Sequence, residues 1–216
     1  MFALRTIMNR FYLLLGTSLY GFEVFGRENL PKSGPFVLSG HHRSPLDFFV
    51  VAFIQHHRPD LHIMVLDAGF EHPLTEWYSL KFNSLPVHKS PSKSNRKTLL
   101  EAAKILKDGK PLQVAVEGEM SWDGRVQPYK TGTAWIILHA QVPFVPVAYR
   151  GAYTIWPRWQ ALPKLSGKLK LEIGKPISLF DPFPAKVTSR SLLEANKKMK
   201  QEITRLEKSL RLKESV

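Results

Sequence analysis

The chain contains no cysteine among its 216 residues. That absence excludes a disulfide scaffold, a thiolate nucleophile and a zinc site with cysteine ligands. It also fits a reducing compartment, where proteins form few disulfides, without requiring one.

A long apolar stretch is also lacking. The longest uncharged run near the start, residues 11–22, has 12 residues, whereas a helix that spans a bilayer needs about 20. Basic residues precede this run and Glu23 follows it, with no clean small-residue cleavage site of a signal peptide. We therefore predict that residues 1–25 form a helix lying in the membrane interface, with Tyr12 and Tyr20 at headgroup depth. The alternative is a helix packed on the domain's own core.

Acidic residues are scarce, since 18 Asp and Glu stand against 31 Lys and Arg, for a formal net charge of +13. Such a balance favours a polyanionic partner. The basic residues are spread along the chain, and no nucleic-acid-binding signature is present. We therefore predict an anionic membrane surface and phosphorylated substrates as partners, and no nucleic acid.

Length and patterning together predict the architecture. A chain of 216 residues with 44% hydrophobic residues suits one domain with a full core. Strand patterns alternate with helix patterns, which predicts an α/β fold with a mixed central sheet flanked by helices. The N-terminal interfacial helix would be followed by one domain over residues 26–216. That domain would end in a basic amphipathic helix over residues 189–213, whose apolar stripe is Met199, Ile203, Leu206 and Leu210.

The remaining elements follow from apolar runs, periodicity and turn residues. Strands are predicted at residues 22–25, 63–66, 85–87, 112–116, 144–149 and 169–173, and the last of these alternates as a half-exposed edge strand does. Helices are predicted from Pro45 and over residues 72–82, 95–107 and 131–139. Trp156 and Trp159 flank a cation at Arg158, which suits either a membrane interface or a loop packed on the core.

The most informative stretch is residues 39–47, which lie between two apolar runs. This pattern predicts a strand–loop–helix corner, the place where α/β proteins carry chemistry. Ser44 suits the helix N-cap and Pro45 the first helical position. Asp47 in the first turn can then reach back to His42 and leave the other ring nitrogen free to take a proton. His42 would be a general base oriented by Asp47, and the nucleophile would be a substrate hydroxyl.

The same residues have a structural interpretation. Ser44 and Asp47 are spaced as a capping box, in which the carboxylate satisfies backbone N–H groups instead of an imidazole. A metal site at His41, His42 and Asp47 is disfavoured, because adjacent histidines on an extended loop diverge and no further ligand cluster stands out. We predict no metal.

Four segments resemble, in order, the motifs of the glycerolipid acyltransferase family, which is typified by lysophosphatidic acid acyltransferases. They are residues 41–47 (HHRSPLD), 83–89 (NSLPVHK), 116–121 (VEGEMS) and 142–147 (VPFVPV). The resemblance extends from about residue 22 to residue 177 and implies an O-acyltransferase of phospholipid biosynthesis. Such an enzyme moves a fatty acyl group from acyl-CoA or acyl carrier protein to a hydroxyl of a lipid acceptor, such as 1-acyl-glycerol-3-phosphate. The resemblance implies no cofactor beyond that donor, and a monotopic place on the cytoplasmic face of a membrane.

The resemblance also implies a set of substrate-binding residues. They are Ser44, His88, Lys89, Glu117, Gly118 and Lys130. His88 and Lys89 are a basic pair at a strand end and suit a phosphate, and backbone N–H groups or Lys89 would hold the developing oxyanion. Glu117 would orient the acceptor or hold a loop, and Gly118 would let the substrate approach the backbone.

The chain departs from the family pattern at several positions. His41 stands where the family usually has Asn, and Lys89 and Met120 stand where it usually has Arg. The arginine expected at position 120 is associated with the acceptor's phosphate, and Arg125 and Lys130 are nearby cations. Lys89 and Met120 support one alternative, the same chemistry on a non-phosphate lipid acceptor. The other alternative is a non-catalytic membrane-binding protein on this scaffold.

Overall fold

The computed structural model describes residues 2–66, 79, 82–89, 95–181 and 187–213. Its helices are α1 (Phe2–Tyr20), α2 (Phe48–His57), α3 (Arg96–Lys107), α4 (Thr131–Ala140), α5 (Ala152–Ile155) and α6 (Ser189–Leu212), with short 3-10 turns at Arg27–Asn29 and Pro45–Asp47. Its strands are β1 (Glu23–Phe25), β2 (Val37–Ser39), β3 (His62–Leu66), β4 (Ser84–Val87), β5 (Leu112–Gln113), β6 (Phe144–Arg150) and β7 (Lys170–Ile173).

The strands form one seven-stranded sheet in the order β1-β7-β6-β2-β5-β3-β4. All neighbouring pairs are parallel except β6 and β7, which run antiparallel. The predicted α/β fold, a single domain with a mixed central sheet flanked by helices, is confirmed.

Helices cover both faces of the sheet, which divides the core in two. Val37 and Leu38 are adjacent in β2 and point to opposite faces, because side chains alternate along a strand. The Leu38 face packs against α1 and α2, and the Val37 face packs against α3, α4 and α6. β6 is buried along most of its length. Its sequence is a nearly continuous apolar run because both faces of the strand are covered.

The carboxyl-terminal edge of the sheet gathers the loops that carry the candidate site residues. Strands β2, β5 and β6 are parallel neighbours, so their carboxyl ends meet at the same edge. The loops that leave these ends hold residues 40–44, 114–130 and 151 onward. The tertiary structure thereby brings together segments that lie more than 100 residues apart in the chain.

The predicted corner after β2 is confirmed. Ser44 is an N-cap in extended conformation, and its Oγ accepts a hydrogen bond from the backbone N–H of Leu46 at 3.1 Å. Pro45 occupies the first position of the turn, as its fixed φ angle favours. The first turn is a 3-10 turn, and the α-helix proper begins at Phe48.

The C-terminal helix is also confirmed, as α6. Thr188 and Ser191 form a reciprocal capping box, in which each side chain bonds the other's backbone N–H at 3.1 and 2.9 Å. The four predicted stripe residues are all buried, in line with Ala195 one turn earlier. The basic residues of this helix lie mainly outside that stripe, as the amphipathic pattern predicts.

The prediction of β7 as a half-exposed edge strand is wrong. β7 pairs with β1 on one side and β6 on the other, so β1 is the edge. Lys170 and Glu172 are only 11% and 13% exposed, since Lys170 lies 3.7 Å from the carboxylate of Glu23 and Glu172 lies 2.9 Å from the ammonium of Lys213. The polar side chains of this strand are therefore covered by ion-pair partners and not by solvent.

The first helix has two different sides. Tyr12 packs against Phe48 of α2, with ring centroids 5.1 Å apart. Apolar side chains 44–69% exposed recur at helical spacing on another side, at Leu4, Ile7, Phe11 and Leu14. No helix within the described residues combines the length and apolarity needed to cross a bilayer.

One predicted strand is shorter than expected, and one predicted helix lies almost wholly outside the described residues. The strand predicted at residues 112–116 is shorter as β5, although the N–H of Val114 still bonds the carbonyl of Leu38 at 3.1 Å. The helix predicted over residues 72–82 lies almost wholly outside the described residues and stays a prediction.

Candidate active site

His42 and Asp47 meet at the corner after β2. Nδ1 of His42 donates to Oδ2 of Asp47, because an ionised carboxylate can only accept. No residue in the described ranges bonds the Nε2 atom, and 30% of the His42 side chain is exposed. Asp47 makes no side-chain capping bond at the start of α2. The carboxylate is therefore committed to the imidazole and not to the helix end.

Two opposing effects set the pKa of His42. Burial on its own would lower the pKa of the imidazole, because it disfavours the charged ring. The Asp47 carboxylate outweighs burial, as a negative charge and a hydrogen-bond acceptor, and Glu117 adds to it. The net pKa lies above the ordinary 6.5, although the charge of Arg158 acts to lower it. A base tuned in this way can both take and return a proton near neutral pH.

Glu117 joins the second loop to the first. It is 1% exposed, and its Oε2 accepts from the backbone N–H of His42 at 3.1 Å. Its Oε1 accepts from the backbone N–H of Gln127 at 2.9 Å. Of the two roles considered for Glu117, these contacts support holding the loops.

Gly118 and Lys130 lie against each other. Gly118 has φ +76°, in the left-handed region, and a Cβ there would come within 2.7 Å of Cδ of Lys130. The backbone N–H of Lys130 also bonds the carbonyl of Val116 at 2.9 Å. The Lys130 side chain is exposed beside this glycine, at the sheet edge that carries His42.

Ser44, His88 and Lys89 occupy different settings. Ser44 is fully buried, with Oγ donating to the carbonyl of Trp156 at 2.7 Å, which supports a role in folding the loop. His88 is half-buried, and its backbone exchanges two hydrogen bonds with the Asn95 side chain. Lys89 is 61% exposed, and its Nζ lies 3.1 Å from Oε2 of Glu119. Substrate contacts for these three residues stay predictions.

His41 has a different environment from His42. It is 3% exposed, and its Nδ1 lies 2.8 Å from Oε1 of Glu207 in α6. Its Nε2 lies 2.7 Å from the hydroxyl of Tyr129. Arg43 reaches the same Glu207 oxygen at 2.7 Å. Burial alone would raise the pKa of Glu207, but the hydrogen bond from His41 and the charges of His41 and Arg43 hold it below 4.5.

Within the described ranges, no group of three His, Asp or Glu side chains is placed to hold a metal ion.

Comparison with known proteins decides the family. A sequence model described as "Acyltransferase" matches residues 21–150, more than half of the chain. The chain belongs to the acyltransferase family. The family predicted from the four motifs is therefore confirmed, and with it the class of enzyme, an O-acyltransferase.

Two relatives carry the same name. The chain is 28% identical over 165 residues to a chloroplastic 1-acyl-sn-glycerol-3-phosphate acyltransferase of Brassica napus, covering 74% of this chain and 47% of that protein. It is 28% identical over 195 residues to the 1-acyl-sn-glycerol-3-phosphate acyltransferase of Bacillus subtilis (strain 168), covering 88% and 90%. The chain thus spans about half of the Brassica napus relative and most of the Bacillus subtilis one.

A solved structure shows the same fold. The crystal structure of the 1-acyl-sn-glycerophosphate (LPA) acyltransferase PlsC from Thermotoga maritima matches with a TM-score of 0.71 at 23% identity. The match covers 94% of this chain and 81% of that chain. This similarity supports the fold.

Three residues around the candidate site escaped the sequence analysis. Glu207 holds His41 from α6. The hydroxyl of Tyr149 accepts from the backbone N–H of Arg43 at 3.3 Å, and burial, with the charge of Asp47, raises its pKa well above 10. Arg158 donates from Nη1 to the carbonyl of Met120 at 2.8 Å. The sequence singled out Arg158 only as a cation between two tryptophans. That pattern did not predict that Arg158 lies at the candidate site.

Proposed function

We propose that this acyltransferase moves a fatty acyl group from coenzyme A or acyl carrier protein to the free hydroxyl of a lysophospholipid, with 1-acyl-glycerol-3-phosphate as the acceptor. The observation that carries the proposal is His42, held at Nδ1 by Asp47 with Nε2 open. The names of the Brassica napus and Bacillus subtilis relatives support this acceptor.

The mechanism needs one base and no covalent enzyme intermediate. Nε2 of His42 takes the proton of the acceptor hydroxyl while the hydroxyl oxygen attacks the thioester carbonyl carbon. The tetrahedral intermediate collapses with cleavage of the C–S bond, and the leaving thiolate receives the proton back from His42. The products are the acylated lipid and the free thiol. Asp47 fixes the tautomer and stabilises the imidazolium that forms between the two steps.

The developing oxyanion needs donors that are already in place. Backbone N–H groups of the loops at this edge, or the ammonium of Lys89, would supply them. Lys89 already faces the Glu119 carboxylate at 3.1 Å, so it would have to exchange that partner for the oxyanion. Proton transfer by His42, oriented by Asp47, requires no metal or cofactor besides the donor thioester. We therefore expect a metal chelator to leave turnover unchanged.

A second acceptor class has support from one position. Met120 stands where the motif resemblance places the arginine associated with the acceptor's phosphate. A lipid acceptor without phosphate, such as a monoacylglycerol, would not need that charge. The acceptor test therefore has to compare ligands that differ only by the phosphate.

The decisive experiment measures thiol release by detergent-purified protein from palmitoyl-CoA and from palmitoyl acyl carrier protein, with and without lysophosphatidic acid. We expect acceptor-dependent release from one donor, its loss in His42→Ala, and its retention in His56→Ala, a matched change at an exposed histidine at the far end of α2. Monoacylglycerol in place of lysophosphatidic acid tests the second acceptor class. Release that does not depend on any acceptor, or that survives in His42→Ala, would refute the proposed function.

We also propose that the enzyme sits on the cytoplasmic face of a membrane through α1. The exposed stripe at Ile7, Phe11 and Leu14 suits the interface, and the hydroxyl of Tyr20 joins α1 to the carbonyl of Lys164 at 3.0 Å. That carbonyl belongs to a loop whose apolar side chains are 65–80% exposed, at Trp159, Leu162 and Leu165. The net charge of +13 favours the anionic leaflet.

Flotation with vesicles of neutral and anionic phospholipid tests this placement. Changing Ile7, Phe11 and Leu14 to Ser should lower vesicle binding by roughly tenfold or more, because each side chain loses its apolar contact with lipid. The control changes Leu193 and Leu212 of α6 to Ser, which are 71% and 73% exposed. Equal binding by both variants and the wild type would contradict the placement of α1.

A further inference from the structure

Cations from three separate loops act on the carboxylate of Glu119, which directly follows Gly118. The hydrogen bond from Lys89 lowers the pKa of Glu119 below its ordinary value, and the charges of Lys130 and Arg158 act in the same direction. Arg158 is also close enough to His42 for its charge to act on the imidazole. The surroundings of Glu119 therefore carry an excess of positive charge at the edge where the acceptor must bind.

Arg158 is fixed on two sides. Its Nη1 donates to the carbonyl of Met120 at 2.8 Å, across 38 positions of the chain. Its guanidinium carbon lies 3.9 Å from the centroid of the Trp122 ring, a cation–π contact. The guanidinium is thus held at the backbone of residue 120, although the side chain there is Met.

Two nitrogens of Arg158 make no hydrogen bond to the described residues. Within the described part of the chain, Nε and Nη2 form no hydrogen bond and no carboxylate pairs with this residue. An arginine with one edge anchored and the other edge open can offer two parallel N–H donors, which suits a phosphate.

We propose that Arg158 binds the phosphate of the acceptor, in place of the arginine that the family resemblance expects at position 120. This inference rests on the proposed function and names the residue that makes it selective for a phosphorylated acceptor. Arg158, in the loop after α5, thereby replaces the cation that the motif at residues 116–121 lacks.

The other nearby cations are less suited to this role. Arg125 is 86% exposed and lies 3.7 Å from its own neighbour Asp123. Lys89 is paired with Glu119, and Lys130 offers an ammonium without the bidentate fork. Arg125 makes a matched control, because it is the same residue type in the same group of loops.

The test uses two soluble ligands that differ only by the phosphate, 1-hexanoyl-lysophosphatidic acid and 1-hexanoyl-glycerol. Calorimetric titration is done on the full chain carrying His42→Ala, so that binding is read without turnover. The variants are Arg158→Gln, Arg158→Lys and Arg125→Gln in that background. The quantity of interest is the ratio of the two dissociation constants.

We expect the phosphorylated ligand to bind more tightly to the protein with Arg158 intact. Arg158→Gln should reduce that preference by roughly 10- to 100-fold, the range of one charge-assisted contact. Arg158→Lys should restore part of the preference, and Arg125→Gln should leave it unchanged. Affinity for 1-hexanoyl-glycerol should stay level across all variants.

Three results would overturn the inference. The first is the absence of any phosphate preference before substitution, and the second is a preference that survives in Arg158→Gln. The third is an equal loss of affinity for both ligands, which would mean that Arg158 only holds its loop on Met120. The proposed function is judged separately by thiol release from the wild-type enzyme. A chain that binds phosphate through Arg158 but releases no thiol would refute the function and leave Arg158 as a phosphate-binding residue without an acceptor role.

Discussion

His41 and His42 are neighbours in the chain, yet the fold gives them opposite settings. His41 is 3% exposed, and both of its ring nitrogens lie within 2.8 Å of a partner. His42 has one nitrogen on Asp47 and the other unpartnered within the described residues, with 30% of its side chain exposed. The first histidine fastens the loop to α6 and Tyr129, and the second is left open for chemistry.

The difference shows what a general base requires beyond the right residue type. A base needs an oriented ring, a partner that stabilises its charged form, and a nitrogen that a substrate can reach. His41 satisfies the first two conditions and fails the third. The following predictions test whether this division between the two histidines is real, from the largest effect to the smallest.

Replacing each histidine in its own variant should give the largest difference in kcat. His42→Ala should lower kcat by roughly 1,000-fold or more, since general base catalysis is worth about 10²- to 10⁴-fold, while the melting temperature changes little. His41→Asn, which installs the residue usual in the family, should keep turnover within roughly tenfold and cost about 1–3 kcal/mol of stability, because one buried partner loses its hydrogen bond.

Steady-state kinetics and thermal unfolding measure both variants under the same conditions. The division between the histidines would be wrong if His41→Asn abolished turnover in a protein that unfolds at the wild-type temperature. It would also be wrong if His42→Ala unfolded easily and lost activity for that reason alone.

Removing the charge of Asp47 should move the pH profile. The proposed mechanism needs neutral His42, so kcat/KM of the wild type should rise with pH through a pKa above 6.5. In Asp47→Asn the stabilising charge is gone, and burial and Arg158 both lower the pKa of the imidazole. The acid limb should therefore shift to lower pH, with a maximum reduced by roughly 100-fold or more. A limb that stays in place in Asp47→Asn would show that another group titrates.

Glu207→Gln should affect stability more than chemistry. It leaves the half-buried Arg43 without its counter-charge, so we expect a loss of about 1–3 kcal/mol and a decrease in kcat of less than tenfold. The contribution of Glu207 is present above its ordinary pKa of 4.5 and is lost as pH falls through its lower folded value. Denaturant unfolding should therefore show the wild type and the variant converging below pH 4.5. A persistent difference at low pH would argue against the charge as the cause.

Local signals predicted much of the fold because caps and periodicities act over a few residues. The Ser44 cap, the helix from Pro45 and the stripe of α6 all follow from contacts within one or two turns. β7 was misassigned for a physical reason: its alternation is real, but the polar face is covered by ion pairs with Glu23 and Lys213. Those partners lie in distant segments, and no local pattern reveals them.

The site divides in the same way. The spacing from His42 to Asp47 determined their contact, because a five-residue corner with a capped turn brings the two side chains together. The environment of His41 was decided by Tyr129 and Glu207, which are 88 and 166 positions away. Arg158 reaches Met120 only because parallel strands end at one edge of the sheet.

The sequence by itself determined the family and the α/β architecture and predicted the pairing of His42 with Asp47, since each is encoded in short motifs and local periodicity. Only the tertiary structure decided which of the two adjacent histidines keeps an open nitrogen, that Glu117 ties the loops together, and that Arg158 lies at the backbone of Met120. These features depend on burial and on partners from remote segments, which arise only when the sheet and its covering helices are assembled.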